Sequence, residues 1–251
     1  MRHMFLPDLQ VPFHHEPFVR SLLLTVEDIQ PDRLWFVGDV VDSPDVSRWN
    51  KGQAGEYADT LYQTITSTTD LFNRIRRVYD GPVGWKVGNH DERYETYVQR
   101  YAPALTSFPA IKIEGMFETE QYGIDVHRSL VDVAAGWVLA HGHEGAYRQA
   151  AGQTALQLAL KVGKSVVCGH THKVALVPGG PAGYNNQQAP TIWGMEVGHA
   201  MDVTQVTYVK SGGYMWQKGF GLLDVREDDV YPSVITATHD GRYCFEGVSY
   251  G

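Results

Sequence analysis

Cysteine is scarce, with two in 251 residues, Cys168 and Cys244. That count does not make a disulfide framework and suits a reducing cytosol. Long apolar runs are missing too. No segment approaches the ~18 residues of a membrane span, and the N-terminus lacks the apolar run of a signal peptide. The expected location is cytoplasmic. Positive charge is also in short supply: 21 Lys and Arg face 29 Asp and Glu, a net charge of −8. A sequence-independent grip on duplex nucleic acid needs many basic side chains on one face, so extended nucleic-acid binding is not expected. A small nucleotide, a strand end, or a substrate held through metal ions stays compatible. What is present is 43% hydrophobic and 20% charged residues, the balance of a soluble globular protein. There are also eleven histidines, and they cluster.

The first half alternates strand and helix. Met4-Phe5-Leu6 reads as a short strand ending at Asp8-Leu9-Gln10. Phe18, Val19, Leu22, Leu23, Val26 and Ile29 form the stripe of a helix over Glu16 to Gln30, stopped by Pro31. Arg33 to Val37 is a buried strand running into Gly38-Asp39-Val40-Val41-Asp42. Tyr57, Leu61, Ile65, Phe72, Ile75 and Val78 mark a long helix closed by Asp80-Gly81-Pro82. Val83 to Val87 is a further strand, and Arg93 to Ala102 has helical spacing. This βαβαβ order predicts a largely parallel sheet with right-handed crossovers.

The second half is richer in strands. Gly123 to His127, Trp137 to Ala140 and Ser165 to Cys168 read as strands, and Tyr147 to Val162 as the last clear helix, its apolar face drawn from Ala151, Leu156, Leu158, Ala159 and Leu160. Lys173 to Val177 and the segments near Phe220–Val225, Ser233–Thr238 and Arg242–Gly247 look β-like. A second sheet packed on the first is expected. With no repeat and no marked linker, residues 1–251 are expected to form a single domain, its strand-rich part starting at about 173.

Five clusters of acid, amide or imidazole each follow a predicted strand: Asp8-Leu9-Gln10, Gly38-Asp39-Val40-Val41-Asp42, Gly88-Asn89-His90-Asp91, His141-Gly142-His143 and Gly169-His170-Thr171-His172. Ligands of open α/β sheets sit outside the carboxyl ends of the strands, so a shared edge would gather all five. Carboxylate, amide oxygen and neutral imidazole suit Mn, Fe, Zn or Ni rather than Ca. A carboxylate that bridges two cations holds them ~3.5–4 Å apart. Asp39, midway in the motif order and on a glycine turn, is the candidate bridge. His90, beside a ligand-type amide, is placed to give a proton to an oxyanion.

The motif order Asp-x-Gln, Gly-Asp-x-x-Asp, Gly-Asn-His-Asp, His-Gly, Gly-His-Thr-His resembles the calcineurin-like metallophosphoesterase superfamily, from Asp8 to His172. The resemblance implies a four-layer α-β-β-α sandwich of two mixed sheets flanked by helices. It implies one metal held by Asp8, Gln10, Asp39 and His172, and a second held by Asp39, Asn89, His141 and His170. His90 would be the catalytic histidine near the leaving group, oriented by Asp42. The family usually has His where Gln10 stands, and a Gln oxygen is a weaker, harder ligand. A Gln variant also occurs in the manganese-dependent ADP-ribose/CDP-alcohol diphosphatase branch, which points to Mn first, with Zn, Fe or Ni as alternatives. The tails around Trp193-Gly194-Met195-Glu196 and Trp216 to Gly221 look like phage-encoded and actinobacterial members, which would put the protein in a host cytoplasm.

The expected function is hydrolysis of a phosphodiester or diphosphate bond in a nucleotide-like small molecule by metal-activated water. Arg93, one helical step past the motif, is the candidate substrate-binding residue for a phosphate oxygen. Arg74, Arg76 and Arg77 read as favourable charges at a helix C-terminus. Tyr214 and Trp216 are candidates for stacking a base, with core packing or loop anchoring the stronger reading. Alternatives are a phosphomonoesterase or protein phosphatase, a nuclease on strand ends, and a catalytically weak binding protein on the same fold. An all-helical HD-type hydrolase would explain His90-Asp91 and His239-Asp240 but not the β-rich tail.

Overall fold

Neighbouring residues of the first strand, β1 (Arg2–Leu6), serve two different cores: Met4 and Leu6 join one, Phe5 the other. The same split divides β2 (Arg33–Phe36), where Leu34 and Phe36 face away from Trp35. A strand buried on both faces must be apolar throughout, which is why these segments read as continuous runs. The computed structural model describes residues 1–46, 60–180, 190–206 and 215–251.

The larger sheet adds β3 (Val83–Lys86) and β4 (Ile124–His127), parallel to β1 and β2, then β10 (Gly219–Arg226) and β11 (Asp229–Thr236) antiparallel on the far side, in the order β11-β10-β1-β2-β3-β4. The helices α1 (Glu16–Ile29) and α2 (Thr60–Val78) cover its outer face, placing Phe18, Leu22, Val26, Leu71, Phe72 and Ile75 on Met4, Leu34 and Phe36, and the shorter helices α3 (Arg93–Tyr101) and α4 (Ile113–Met116) lie along the chain between β3 and β4.

The second sheet runs β5-β6-β7-β9-β8, from β5 (Val131–Ala134), β6 (Trp137–Leu139), β7 (Ser165–Cys168), β9 (Ile192–Val197) and β8 (Val174–Gly179). Its strands β6, β7 and β9 are parallel. Trp137, Leu139, Val167, Met195 and Val197 meet Phe5, Trp35 and Leu223 of the first sheet in a core between the sheets. Val138, Val166 and Cys168 point the other way, onto Ala155, Leu158 and Ala159 of α5 (Gln153–Val162). The layers are therefore helix, sheet, sheet, helix, as expected. A closing hairpin pairs β12 (Tyr243–Phe245) with β13 (Val248–Tyr250).

Parts of the chain differ from the sequence reading. The last helix starts at Gln153, not Tyr147, because Gly152 turns with φ +78° and the Lys173 ammonium takes the carbonyls of Arg148 and Gln149. Ala151 thus lies outside the helix, and Leu160 is exposed rather than on the apolar face. Arg76 and Arg77 lie in the last turn of α2, as expected, and Arg76 also binds the carbonyls of Tyr79, Gly81, Tyr122 and Gly123; Arg74 lies outside that turn and pairs bidentately with Glu16 of α1. The strands β5 and β9 are not among the segments that read as strands from sequence. Tyr57, Tyr214 and most of the Pro178–Pro190 loop lie outside the described residues.

Candidate metal centre

Five turns leave the carboxyl ends of β1, β2, β3, β6 and β7 and converge where the two sheets meet. The backbone there is forced. Gln10, Asp39, His170 and His172 all have positive φ, between +48° and +64°, as do Gly38 at +106° and Gly142 at +121°. Non-glycine residues in that region cost energy and concentrate where function requires a set geometry. Glycine at two of these turns is a matter of room. A Cβ on Gly88 would lie 2.2 Å from Asp39 Oδ1, and one on Gly169 would lie 2.0 Å from Asp8 Oδ1.

The turns bring the expected ligand atoms together. His141 Nε2 stands 3.2 Å from both Asp39 Oδ2 and Asn89 Oδ1. Asp39, His141 and His170 offer donor atoms within 4.8 Å of one another, a group that could hold a metal ion. On the other side Gln10 Nε2 is 3.3 Å from the same Asp39 Oδ2, and His172 Nε2 is 3.2 Å from Asp8 Oδ2. Separations of about 3.0–3.4 Å are what adjacent ligands of a small divalent ion adopt at metal–ligand distances near 2.1 Å. Asp39 and Asp8 are buried, and each carboxylate is fixed by a backbone N–H, from His90 to Asp39 Oδ1 and from His170 to Asp8 Oδ2, both at 2.8 Å. The His141 Nδ1–H donates to the Val37 carbonyl at 2.9 Å, which turns Nε2 toward the ligands.

Charge follows from this crowding. Burial would raise the Asp39 carboxyl, but the charges of His141 and His90 outweigh it and hold the group well below the usual carboxylate range. Burial works against a charged His141, yet Asp39 pushes its pKa up to about 10. Burial, joined by the His141 charge, brings His170 down to about 4, the neutral form that a ligand needs.

Beside this group lies a second unit. His90 Nδ1 is 2.7 Å from Asp42 Oδ1, the pairing expected from sequence. Arg93, at the start of α3 (Arg93–Tyr101), donates to His90 Nε2 at 2.8 Å and to the Asp42 carbonyl at 2.6 Å. Burial opposes protonation of His90, Asp39 and Asp42 favour it and win, and Arg93 acts against them. In this arrangement the guanidinium occupies Nε2, the ring nitrogen that Asp42 does not hold.

Several participants carry roles that sequence reasoning did not assign. Asp91 accepts from the N–H groups of Val41, Gly88 and the Trp85 indole, so one buried carboxyl ties the Asp39 turn to the Asn89 turn. Burial and the nearby Asp39 charge push its pKa up to about 7. Glu196 of β9 accepts from Thr171 Oγ1 at 2.8 Å, fixing the residue between His170 and His172. His199, just past β9, packs against His172 with ring centroids 5.3 Å apart, and Trp216 meets His172 edge to face at 4.5 Å. Trp216 is thus a wall of the centre. The His143 ring centroid stands 5.3 Å from that of His141, and the residue is half-buried. The only sequence signal for this set was the string Glu196-Val197-Gly198-His199, a strand end like the other five, hidden because β9 was not recognised.

Comparison with known proteins agrees with this geometry. A family model described as Calcineurin-like phosphoesterase matches residues 1–174. The Gene 54 protein of Mycobacterium phage D29 is 35% identical over 250 residues, covering 98% of this chain and 97% of that one. The Gene 54 protein of Mycobacterium phage L5 is 34% identical over the same shares. Vps29 from Chaetomium thermophilum is similar in fold alone, with a TM-score of 0.52 at 11% identity, covering 100% of this chain and 98% of that one. The chain therefore belongs to the calcineurin-like phosphoesterase family, as a phage-type metal-dependent phosphoesterase.

Proposed function

We propose that the protein hydrolyses a phosphodiester or diphosphate bond in a small nucleotide-like molecule, with two divalent cations held at the meeting edge of the sheets. The observation that carries this reading is the position of Asp39 Oδ2, between Gln10 at 3.3 Å and His141 at 3.2 Å, where one carboxylate oxygen serves both halves of the ligand set. The donors fit such ions. Asp8 Oδ1, Gln10 Oε1 and His172 Nδ1 are buried polar atoms without a hydrogen-bond partner. An amide flip of Gln10 presents its oxygen where the nitrogen now lies. Asp8, Gln10, Asp39 and His172 would hold one cation, and Asp39, Asn89, His141 and His170 the other. This oxygen-rich set suits Mn first, ahead of Zn, Fe or Ni. Bound there, the cations supply Lewis acidity and lower the pKa of water.

The chain's own residues do the rest. Asp42 orients His90 and stabilises its charged form, so His90 can give a proton to the leaving oxygen. Arg93 has to leave His90 Nε2 for this, and it then reaches a non-bridging phosphate oxygen. The substrate class follows from charge. A net −8 disfavours a long polyanion, and a diester needs fewer cationic groups than a terminal dianion. A protonated His90 helps most with a poor leaving group such as a sugar alkoxide. Steady-state rates on matched aryl monoester and diester reporters at saturating Mn test the claim. The diester is expected to show the higher kcat/KM. A monoester preference of about tenfold, some 1.4 kcal/mol in transition-state binding, would overturn it. Residues 1–251 are taken as one domain. No described helix is long and apolar enough to cross a membrane, and the phage relatives make a host cytoplasm the proposed place of action.

A further inference from the structure

Lysine is an unlikely residue in the middle of a sheet, yet Lys86 ends β3 with a side chain only 1% exposed. Its ammonium has three protons and meets three acceptors: Glu144 Oε1 at 3.0 Å, the Val87 carbonyl at 2.9 Å and the Arg128 carbonyl at 3.2 Å. Glu144 is equally occupied. Its Oε1 also accepts the His141 N–H at 3.3 Å, and its Oε2 accepts the Gly142 N–H at 2.7 Å. A buried ion pair is worth keeping only when every donor and acceptor is satisfied, as here.

The placement is what matters. Lys86 belongs to the first sheet, in the segment that runs directly into Asn89. Glu144 belongs to the second sheet's loop and grips the two amides of the turn that carries His141. The pair therefore spans the gap between the sheets and holds the Asn89 turn and the His141 turn at a fixed separation. Gly142 turns at φ +121°, and Glu144 accepts its N–H. Among the described residues no lysine or arginine pairs with a carboxylate on the opposite side, where Asp8 and His172 lie: there the fixing groups are the backbone N–H of His170 and the aromatic wall of His199 and Trp216.

We propose that Lys86 and Glu144 are positioning residues for one cation and not the other: their bridge sets the spacing of Asn89 against His141, and so the affinity of the ion held by Asp39, Asn89, His141 and His170. This inference rests on the two-cation reading. Neither residue is among the proposed ligands. Both act through the turns they hold.

The test measures Mn binding in two backgrounds. His172→Ala leaves the Asn89–His141–His170 site, and His141→Ala leaves the Asp8–Gln10–His172 site. In the first background Glu144→Gln should raise the Mn Kd about tenfold or more, the usual effect of losing a group that orients a ligand. In the second it should change Kd by less than about twofold, as expected for an independent site. The double substitution Lys86→Met with Glu144→Gln removes both charges and leaves neither buried alone, so it reports on positioning even if a single variant fails to fold. It should show the same one-sided loss. Equal losses in both backgrounds would make the pair a general scaffold element and overturn the proposal, as would no loss in either. If the His172→Ala protein binds no Mn while its thermal unfolding shows it folded, the two-cation reading has failed and the inference falls with it.

Discussion

Glu196 offers the sharpest test of how the second sheet supports the centre. It is fully buried on β9 and all its bonds are known. Oε1 accepts the N–H groups of Thr154 at 3.2 Å and Ala155 at 3.3 Å, in the first turn of α5. Oε2 accepts the Thr171 hydroxyl. The N-cap position of α5 is Gly152, which has no side chain to cap it, so Glu196 supplies from a strand what an N-cap residue normally supplies. Substituting Glu196→Ala orphans two buried N–H donors and one hydroxyl. At about 1–3 kcal/mol for each unsatisfied buried group, with incomplete additivity, the cost is about 4 kcal/mol. For a chain of this size that is a fall in Tm of about 8–16 °C. Glu196→Gln keeps an oxygen for the helix and an amide that the Thr171 hydroxyl can accept from, so it should cost about 1–2 kcal/mol. Thermal unfolding of the metal-free variants reads both. A loss below about 1 kcal/mol for the alanine variant would refute the idea that Glu196 holds α5 and the His170–His172 turn.

Two further outcomes follow from the site. His90→Ala should keep both metals and lose about 10²–10⁴ in kcat if, as proposed, His90 acts on the leaving group rather than as a ligand; a site found empty by metal analysis would contradict that role. The third concerns pH. His141 has its pKa raised from 6.5 to about 10 in the metal-free fold. Its stabilising interaction with Asp39 is thus fully present below pH 6.5 and is lost as pH rises through about 10. A cation at that position must displace the proton, so Mn affinity should rise about tenfold per pH unit across the same window. Calorimetry in buffers of different ionisation enthalpy counts the released proton, and an affinity flat between pH 7 and 9 would contradict the linkage.

The half of the fold that reads clearly from sequence is the half in which strands are buried on both faces. β1, β2, β3 and β7 announce themselves as apolar runs, and each ends in glycine or an acid because the chain must turn sharply into the centre. That is why the five clusters could be found and placed on one edge. β9 was hidden for a physical reason. Its sequence, Ile-Trp-Gly-Met-Glu-Val, is broken by Gly194 and Glu196. A Cβ on Gly194 would lie 2.2 Å from the Leu156 backbone nitrogen, and Glu196 is polar because α5 and Thr171 need an acceptor. Both exceptions are imposed by a helix distant along the chain. Lys86 sits in a strand for a similar reason, since its partner lies beyond β6. The start of α5 was misread because apolar spacing continues through Ala151, and only the left-handed Gly152 ends it. The acid, amide and imidazole clusters on the turns were legible; the groups that hold those turns were not, because each reaches across the sheets to an element that sequence spacing does not bring near.

The central claim is that Asp39 serves two cations at once. Metal-free protein titrated with Mn, with elemental analysis of the product, tests it most directly. The account predicts two binding events of unequal affinity, the weaker one on the Gln10 side, and a loss of metal on Asp39→Ala greater than for any other single ligand. One stoichiometric event in the unsubstituted protein, or an Asp39→Ala protein that still takes up two ions, would contradict it.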